Sequence, residues 1–323
     1  METNKITEGG MLCALQIVLG LFLIPLGMGY GLYLQVLLPI TVTLIYLKCG
    51  NKVCLIASIN TFLLLMICFG NLAFAVYGVQ ALGFGYLTGV ILSKRRPMQD
   101  DLMIESLIGC AFLLILDGMV AKGLGSSLLD YDGIDEMVLT LWPEANTSVV
   151  QIFYYLSIAS VPVGSVLMTY VGSLLLGHRL RILQGQIKDK YTFLRQYKFL
   201  VPYAYHGEKS MRYALLGLGL NLFLWQYTKW VYLKVWIACS SAILLYFILM
   251  DFSKLIGQYI LQRWKNPLWL MIYHFMLVWA FFKFFIWTCC TLIIIGGLVD
   301  GLTTIRQQQS RQLAIYIKRR IWS

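Results

Sequence analysis

Residues 10–29 read GMLCALQIVLGLFLIPLGMG, a run without a single charged side chain. A helix of about 20 residues rises roughly 30 Å, the thickness of a bilayer's hydrocarbon layer. The residues before it, METNKITE, hold one base, Lys5, against Glu2 and Glu8. An export signal opens on a positive segment and ends on a small-x-small cleavage pattern, and neither is recognisable here. The stretch therefore reads as a retained first span, and much of the remaining sequence repeats it. Of 323 residues, 59% are apolar and 13% charged, a mix that excludes an ordinary water-soluble domain. No alternating barrel pattern accompanies these runs, so each span must satisfy its backbone internally as a helix. The fold class is all-α, a polytopic transmembrane helical bundle of eight or nine spans.

The apolar runs place spans at 10–29, 31–47, 53–69, 71–93, 102–121, 150–177, 213–228, 232–250 and 268–299. Lys and Arg in connecting loops set their orientation, because such loops stay cytoplasmic. Lys48 and Lys52, then Lys94, Arg95 and Arg96, mark two inside loops, while 122–149, with Asp130, Asp132, Asp135, Glu136 and Glu144, reads as outside. The amino terminus is thus expected in the cytoplasm. Segment 178–212 is basic and returns inside. Three further spans would then leave the basic tail, with Arg306, Arg311, Lys318, Arg319 and Arg320, on the outside. The suspect is 268–299, where Lys283 divides an aromatic run into two short pieces; it is either one long tilted helix or a re-entrant hairpin.

Motifs that carry chemistry are scarce. The eight cysteines stand singly, except for the adjacent Cys289 and Cys290, and show no CxxC or Cys/His ligand spacing. They read as small apolar fillers. His178 and His206 sit in basic interfacial sequence, and His274 has no second ligand one turn away. No HExxH, GxSxG, Walker or kinase signature occurs, so no metal, cofactor or enzymatic activity is expected. Asn146 begins an NTS glycosylation pattern in the outside loop.

Polar groups within spans say more, since a charge at mid-membrane costs roughly 2.5–3.5 kcal/mol. Asp117 lies near the outer end of the fifth span, Asn60, Asn71, Tyr77 and Gln80 fall in the third and fourth, and Gln35 in the second. Together they would line a polar cavity open to the outside. Each also admits a plainer role: a hydrated interfacial carboxylate for Asp117, interhelical hydrogen bonds for the amides. Gly10 with Ala14, and Gly85 with Gly89, are small-residue pairs at four-residue spacing, which suit close helix packing or a partner face. Across 178–201, Leu180, Leu183, Ile187, Tyr191 and Leu194 recur at three and four. Arg179, Arg181, Lys188, Lys190, Arg195 and Lys198 occupy other positions on that helical wheel. This is the pattern of an amphipathic helix lying on the lipid bilayer, its bases toward the headgroups; the plainer reading is a solvated linker with the ordinary basic bias of an inside loop. With a membrane to lie on, these bases do not point to nucleic acid.

The stretches ITEGGMLCALQIVLGLFLIP (6–25), LGFGYLTGVILSKRR (82–96), VLMTYVGSLLLGHRLRIL (166–183) and IGGLVDGLTTIR (295–306) resemble the YybS-like family of bacterial membrane proteins. The last carries that family's Gly-Leu-x-Asp pattern closed by Arg, here Gly297, Leu298, Asp300 and Arg306. The first half of that family is similar to the six-helix S components of energy-coupling-factor transporters. The resemblance implies three parts: an S-component-like half over 1–177, a basic cytoplasmic connector over 178–212, and a carboxyl-terminal helical half with a basic tail over 213–323. It implies a protein of the bacterial cytoplasmic membrane that binds a small solute, working with a coupling protein and a separate ATPase or as a homo-oligomer. Gly10 and Ala14 would then form the coupling face. The rival reading is a non-transporting scaffold or assembly factor for envelope or signalling proteins.

Overall fold

A computed structural model describes residues 2–70, 72–124, 136, 137, 139, 140 and 147–321. Among them are thirteen α-helices and no strand. Eight helical stretches are long and apolar enough to cross a membrane: Thr3–Met28, Leu32–Cys49, Asn51–Cys68, Ala75–Leu92, Met98–Met119, Val150–Arg179, Val231–Trp264 and Phe285–Leu302. The chain is an integral membrane protein of the all-α class.

Helix α1 (Glu2–Leu23) runs into a widely wound segment, Ile24–Leu37, in which Gly27 takes φ +77°. That left-handed conformation suits glycine and lets the chain reverse within a few residues. After the turn the Tyr33 hydroxyl donates to the Gln16 carbonyl at 2.8 Å, which fastens the second crossing antiparallel to the first. Helices α2 (Leu38–Cys49), α3 (Asn51–Phe69) and α4 (Leu72–Leu92) follow. The α2–α4 contact is close because Gly85 has no side chain: a Cβ there would sit 2.4 Å from the Pro39 carbonyl oxygen. At Gly89 it would sit 2.7 Å from Tyr46. These two glycines serve packing inside the chain. Gly10 has nothing within 4 Å of such a Cβ and, with Ala14, faces outward.

Helix α5 (Met98–Leu124) starts on two acids, Asp100 and Asp101, and α6 (Thr147–Arg179) returns beside it. The expected single amphipathic helix over 178–201 is not formed. A turn with Arg181 and Gly185 at positive φ follows α6, and the short helices α7 (Gln186–Arg195) and α8 (Tyr197–Leu200) come after it. The apolar stripe Leu183, Ile187, Tyr191 and Leu194 packs on Leu92, Tyr170 and Leu174. It lies on the bundle itself, not on lipid. Periodicity had identified the stripe but carries no information on what covers it.

Helix α9 (Glu208–Tyr227) pairs antiparallel with the first part of α10 (Val231–Trp264), and Asn221 bonds Ser240 at 2.9 Å between them. Its start touches the start of α5 through Gly207 and Asp100, and just beyond its end Tyr232 reaches Asp117 near the end of α5. Thus α9 covers the same thickness as α5, although it is less apolar than the eight stretches above. Helix α10 has 34 residues, a length of about 51 Å, and extends past the expected end at 250. At Phe284, with φ −138° and ψ 55°, the long apolar run 268–299 breaks into α11 (Pro267–Lys283) and α12 (Phe285–Leu302). Tyr273 of α11 bonds the Ser253 carbonyl, and Gly296 of α12 seats on Phe252, the adjacent residue of α10. Two points so far apart in sequence meet one level of α10 only if the chain doubles back, so the segment is a hairpin.

That hairpin resolves the parity problem. The last helix, α13 (Ile305–Ile321), begins where Arg306 bonds the His206 carbonyl of the connector at 2.8 Å. The tail and the connector share one end of the bundle, together with Glu8, Lys48 and the 94–96 loop. This end is the basic face. The two halves separated by the connector share one core: Cys110, Leu113, Tyr154 and Ile158 of the first pack with Ala214, Val235, Phe247 and Phe252 of the second.

Candidate functional site

Of the six polar residues expected to share one cavity, the five that are described fall into different places. Gln35, Tyr77 and Gln80 converge on a cleft of about 500 Å³ between the second, fourth, fifth and sixth crossings, which Ser160 and Ser165 also line. Its floor is apolar, with Phe84, Leu113 and Met168. The cleft lies toward the end of α4 away from the basic face, since Tyr77 and Gln80 precede Arg95 by more than four turns. Asn60 instead lines a groove between α1 and α3, with Gly10, Ala14 and Ile17. Asp117 accepts a hydrogen bond from Tyr232 at 3.2 Å, on the side of α5 toward α10. Asn71 lies outside the described residues, as does Asn146. Helical spacing placed each amide on a span, but which neighbour it faces depends on rotations that one helix alone does not specify.

A buried polar group among the first three crossings is not among the residues expected from sequence. Gln16 donates to Thr41 at 2.6 Å and accepts from Thr61 at 3.0 Å, and the Cys13 sulfur lies 3.2 Å from Thr61. Three crossings are cross-linked by one amide with donor and acceptor both used. Gln16 sits in the opening apolar run, where a single amide among aliphatic residues is the signal that marks it.

Among the described residues, a cluster of buried charge lies at the basic face. Lys190 is 7% exposed; its ammonium donates to Asp101 at 2.6 Å, to the Leu92 carbonyl at 3.1 Å and to the Lys94 carbonyl at 2.9 Å. All three of its protons are engaged, one of them on the Leu92 carbonyl at the end of α4, which the helix itself leaves open, and one on the Lys94 carbonyl, which also accepts from the Arg96 amide. Lys190 was grouped with the headgroup-facing bases; its ion pair inside the bundle corrects that. The other five, Arg179, Arg181, Lys188, Arg195 and Lys198, are exposed. Tyr170 also donates to Asp101, at 2.9 Å, and one turn further along α5 the fully buried Glu105 accepts from Thr88.

Beside this cluster, Asp100 accepts from the Gly207 amide and, at 2.8 Å, from the Ser210 hydroxyl, so a residue of α5 caps α9. His206 Nδ1 lies 2.8 Å from Asp100, and its backbone amide donates to Asp251 of α10 at 3.0 Å. Arg306 forms ion pairs with Asp251 at 2.9 Å and Asp300 at 2.8 Å. Burial works against the guanidinium charge, but the Asp251 and Asp300 carboxylates outweigh it and hold the Arg306 pKa above its ordinary value. Burial, reinforced by the Asp251 carboxylate, pushes the Tyr205 hydroxyl pKa well up. Asp300 and Arg306 thus act together, while the Lys283 ammonium lies over the Trp279 and Phe284 rings.

These charges were visible in sequence only as loop composition. Asp100 and Asp101 follow Lys94, Arg95 and Arg96 so closely that they read as part of an inside loop, whereas they form the first turn of α5, where the helix dipole favours acids. His206 is 106 residues from its partner Asp100. No group of three or more His, Cys, Asp or Glu side chains arranged to hold a metal is found among the described residues. Comparisons with known proteins yield no match: no family model, no curated protein and no solved structure is similar to the chain.

Proposed function

We propose that this integral membrane protein is a subunit that binds a small solute from the side opposite its basic face and works with partner proteins. The observation that carries this reading is the cleft of about 500 Å³ in which Gln35, Tyr77, Gln80, Ser160 and Ser165 surround an apolar floor. That volume is within the range of ligand pockets, and a few polar groups on an apolar lining is their usual chemistry. The six long crossings before the connector agree in number with the S-component fold that the sequence resembles, and Gly10 and Ala14 face outward as a coupling surface would. In this reading the chain has no ATPase of its own, the basic face is cytoplasmic, and a coupling protein and an ATPase, or further copies of the chain, complete the assembly.

The test is a thermal-stability screen of the purified protein against B vitamins and other small solutes, repeated on Gln80→Leu and Ser160→Leu. A ligand that stabilises the parent and not the variants supports the proposal. Stabilisation by none of the panel counts against it. The scaffold reading is supported by a different observation: α11 buries none of its residues and presents Phe275, Met276 and Phe282 outward. Gentle solubilisation followed by identification of co-purifying proteins separates the two, since a solute-binding subunit is recovered with an ATPase and a scaffold with envelope or signalling proteins.

A further inference from the structure

A second cavity, of about 350 Å³, opens on the basic face between the 95–98 loop, α7, the segment before α9 and the tail helix α13. It is separate from the cleft: Gln99 here and Leu113 there stand about 20 Å apart along α5. Its walls are Met98, Phe193, Ala204 and Leu313.

Three of the residues that line it carry buried polar atoms that lack a partner. Gln99 is 8% exposed and Tyr205 3% exposed, and both line the cavity. Gln99 spends its amide nitrogen on the Ala204 carbonyl at 2.8 Å, which fixes the orientation of the amide. Its oxygen has no partner, and neither has the Tyr205 hydroxyl or the Gln186 side-chain oxygen, which lines the same space. Buried polar atoms are left unmatched at a cost, so three around one cavity mark a place for a ligand's own hydrogen-bonding groups. Two of the three are amide oxygens and can only accept, and the half-buried Asp189 carboxylate adds a further acceptor. Lys190 also lines the cavity, but its protons are committed to Asp101 and two carbonyls. The donors at the cavity are the Tyr205 hydroxyl, the Gln186 amide nitrogen and, at the rim, the exposed guanidinium groups of Arg95 and Arg96.

Acceptors inside and cations at the mouth call for a molecule with the opposite order. We propose that this cavity binds a small zwitterion, an ammonium group held by Gln99, Gln186 and Tyr205 and joined through a short apolar stem to an oxyanion that meets Arg95 and Arg96. A phospholipid headgroup and a free metabolite of the same chemistry would each fit.

The experiment is calorimetric titration of the full-length, delipidated protein in detergent with O-phosphoethanolamine, ethanolamine or inorganic phosphate. The expected result is at least tenfold tighter binding of O-phosphoethanolamine than of either fragment. Tyr205→Phe and Gln186→Leu each remove an atom that has no partner within the protein, so their unliganded melting temperatures should equal or exceed the parent's. Their affinity for O-phosphoethanolamine should fall roughly tenfold, the usual loss when one hydrogen bond to a charged group is removed. Nanodiscs of phosphatidylethanolamine that block the titration identify a lipid headgroup as the source, whereas unhindered titration identifies a free zwitterion; phosphatidylglycerol nanodiscs should leave it unchanged. Binding of phosphate as tight as that of O-phosphoethanolamine, or unchanged affinity in both well-folded variants, overturns the proposal.

Discussion

Replacing Lys190 with methionine tests the internal charge cluster most directly. Methionine keeps much of the stem's volume and deletes the ammonium. Asp101, 0% exposed, would keep its hydrogen bond from Tyr170 and lose its only ion-pair partner among the described residues. Breaking a buried pair by removing one member costs about 3–5 kcal/mol, because the remaining charge is stranded away from water. The Leu92 and Lys94 carbonyls would also lose a cation at the end of α4, worth up to about 1 kcal/mol more. Lys190→Met should therefore destabilise by roughly 3–6 kcal/mol, the sum of these two terms. In the double variant Asp101→Asn/Lys190→Met the stranded charge is gone, so the first loss should largely disappear and only about 1 kcal/mol for the carbonyls should remain. The assay is equilibrium unfolding in mixed micelles for the parent, both single variants and the double variant, read as a double-mutant cycle. The reasoning is refuted if the double variant is as unstable as Lys190→Met alone, or if the coupling energy is below about 1 kcal/mol, the value of an exposed pair.

Other predictions follow from single features. Gly85→Ala places a methyl group against the Pro39 carbonyl and should cost at least about 1–3 kcal/mol by overpacking, whereas Gly10→Leu should leave the melting temperature unchanged and disturb only partner recovery. Arg306→Met leaves Asp251 without its guanidinium and should release the tail helix, seen as rapid proteolysis at Arg311. In a cysteine-free background, single cysteines at Glu8, Lys94 and Arg311 should be labelled by an impermeant reagent from the same side of the membrane. Burial raises the Asp189 pKa in the fold above its unfolded value, with Lys188 partly opposing. The folded carboxyl therefore binds its proton more tightly, and stability falls as pH rises through the range just above the ordinary carboxylate pKa. Asp189→Asn should be more stable than the parent at neutral pH and indistinguishable from it in acid.

The membrane class and the helical spans were legible from hydropathy, because the bilayer imposes a length that the sequence must meet. The turn at Phe284 was legible only as a choice between a hairpin and a tilted helix: Lys283 flags a break in the apolar run, but two short limbs and one long helix have the same composition. What the sequence could not disclose was contact between distant segments. The stripe Leu183, Ile187 and Tyr191 reads alike whether it lies on lipid or on Leu92 and Tyr170. Lys190 reads alike whether it faces a headgroup or Asp101. Of the expected cavity residues, Gln35, Tyr77 and Gln80 converge on one cleft, while Asn60 and Asp117 face elsewhere because helix rotation is set by packing, as at Gly85.

The pairing of α5 with later segments has a consequence for biosynthesis. Asp101 is inserted 89 residues before Lys190 and Asp100 106 residues before His206, while Arg306, the ion-pair partner of Asp251, comes later still. At the usual 5–20 residues per second, the acids of α5 wait roughly 5–20 s for these partners. During that interval the nascent helix is a substrate for insertion factors and membrane proteases, and docking of the connector ends its vulnerability. Ribosome pausing between residues 101 and 190 would thus act on the yield of the protein without altering any contact in its finished form.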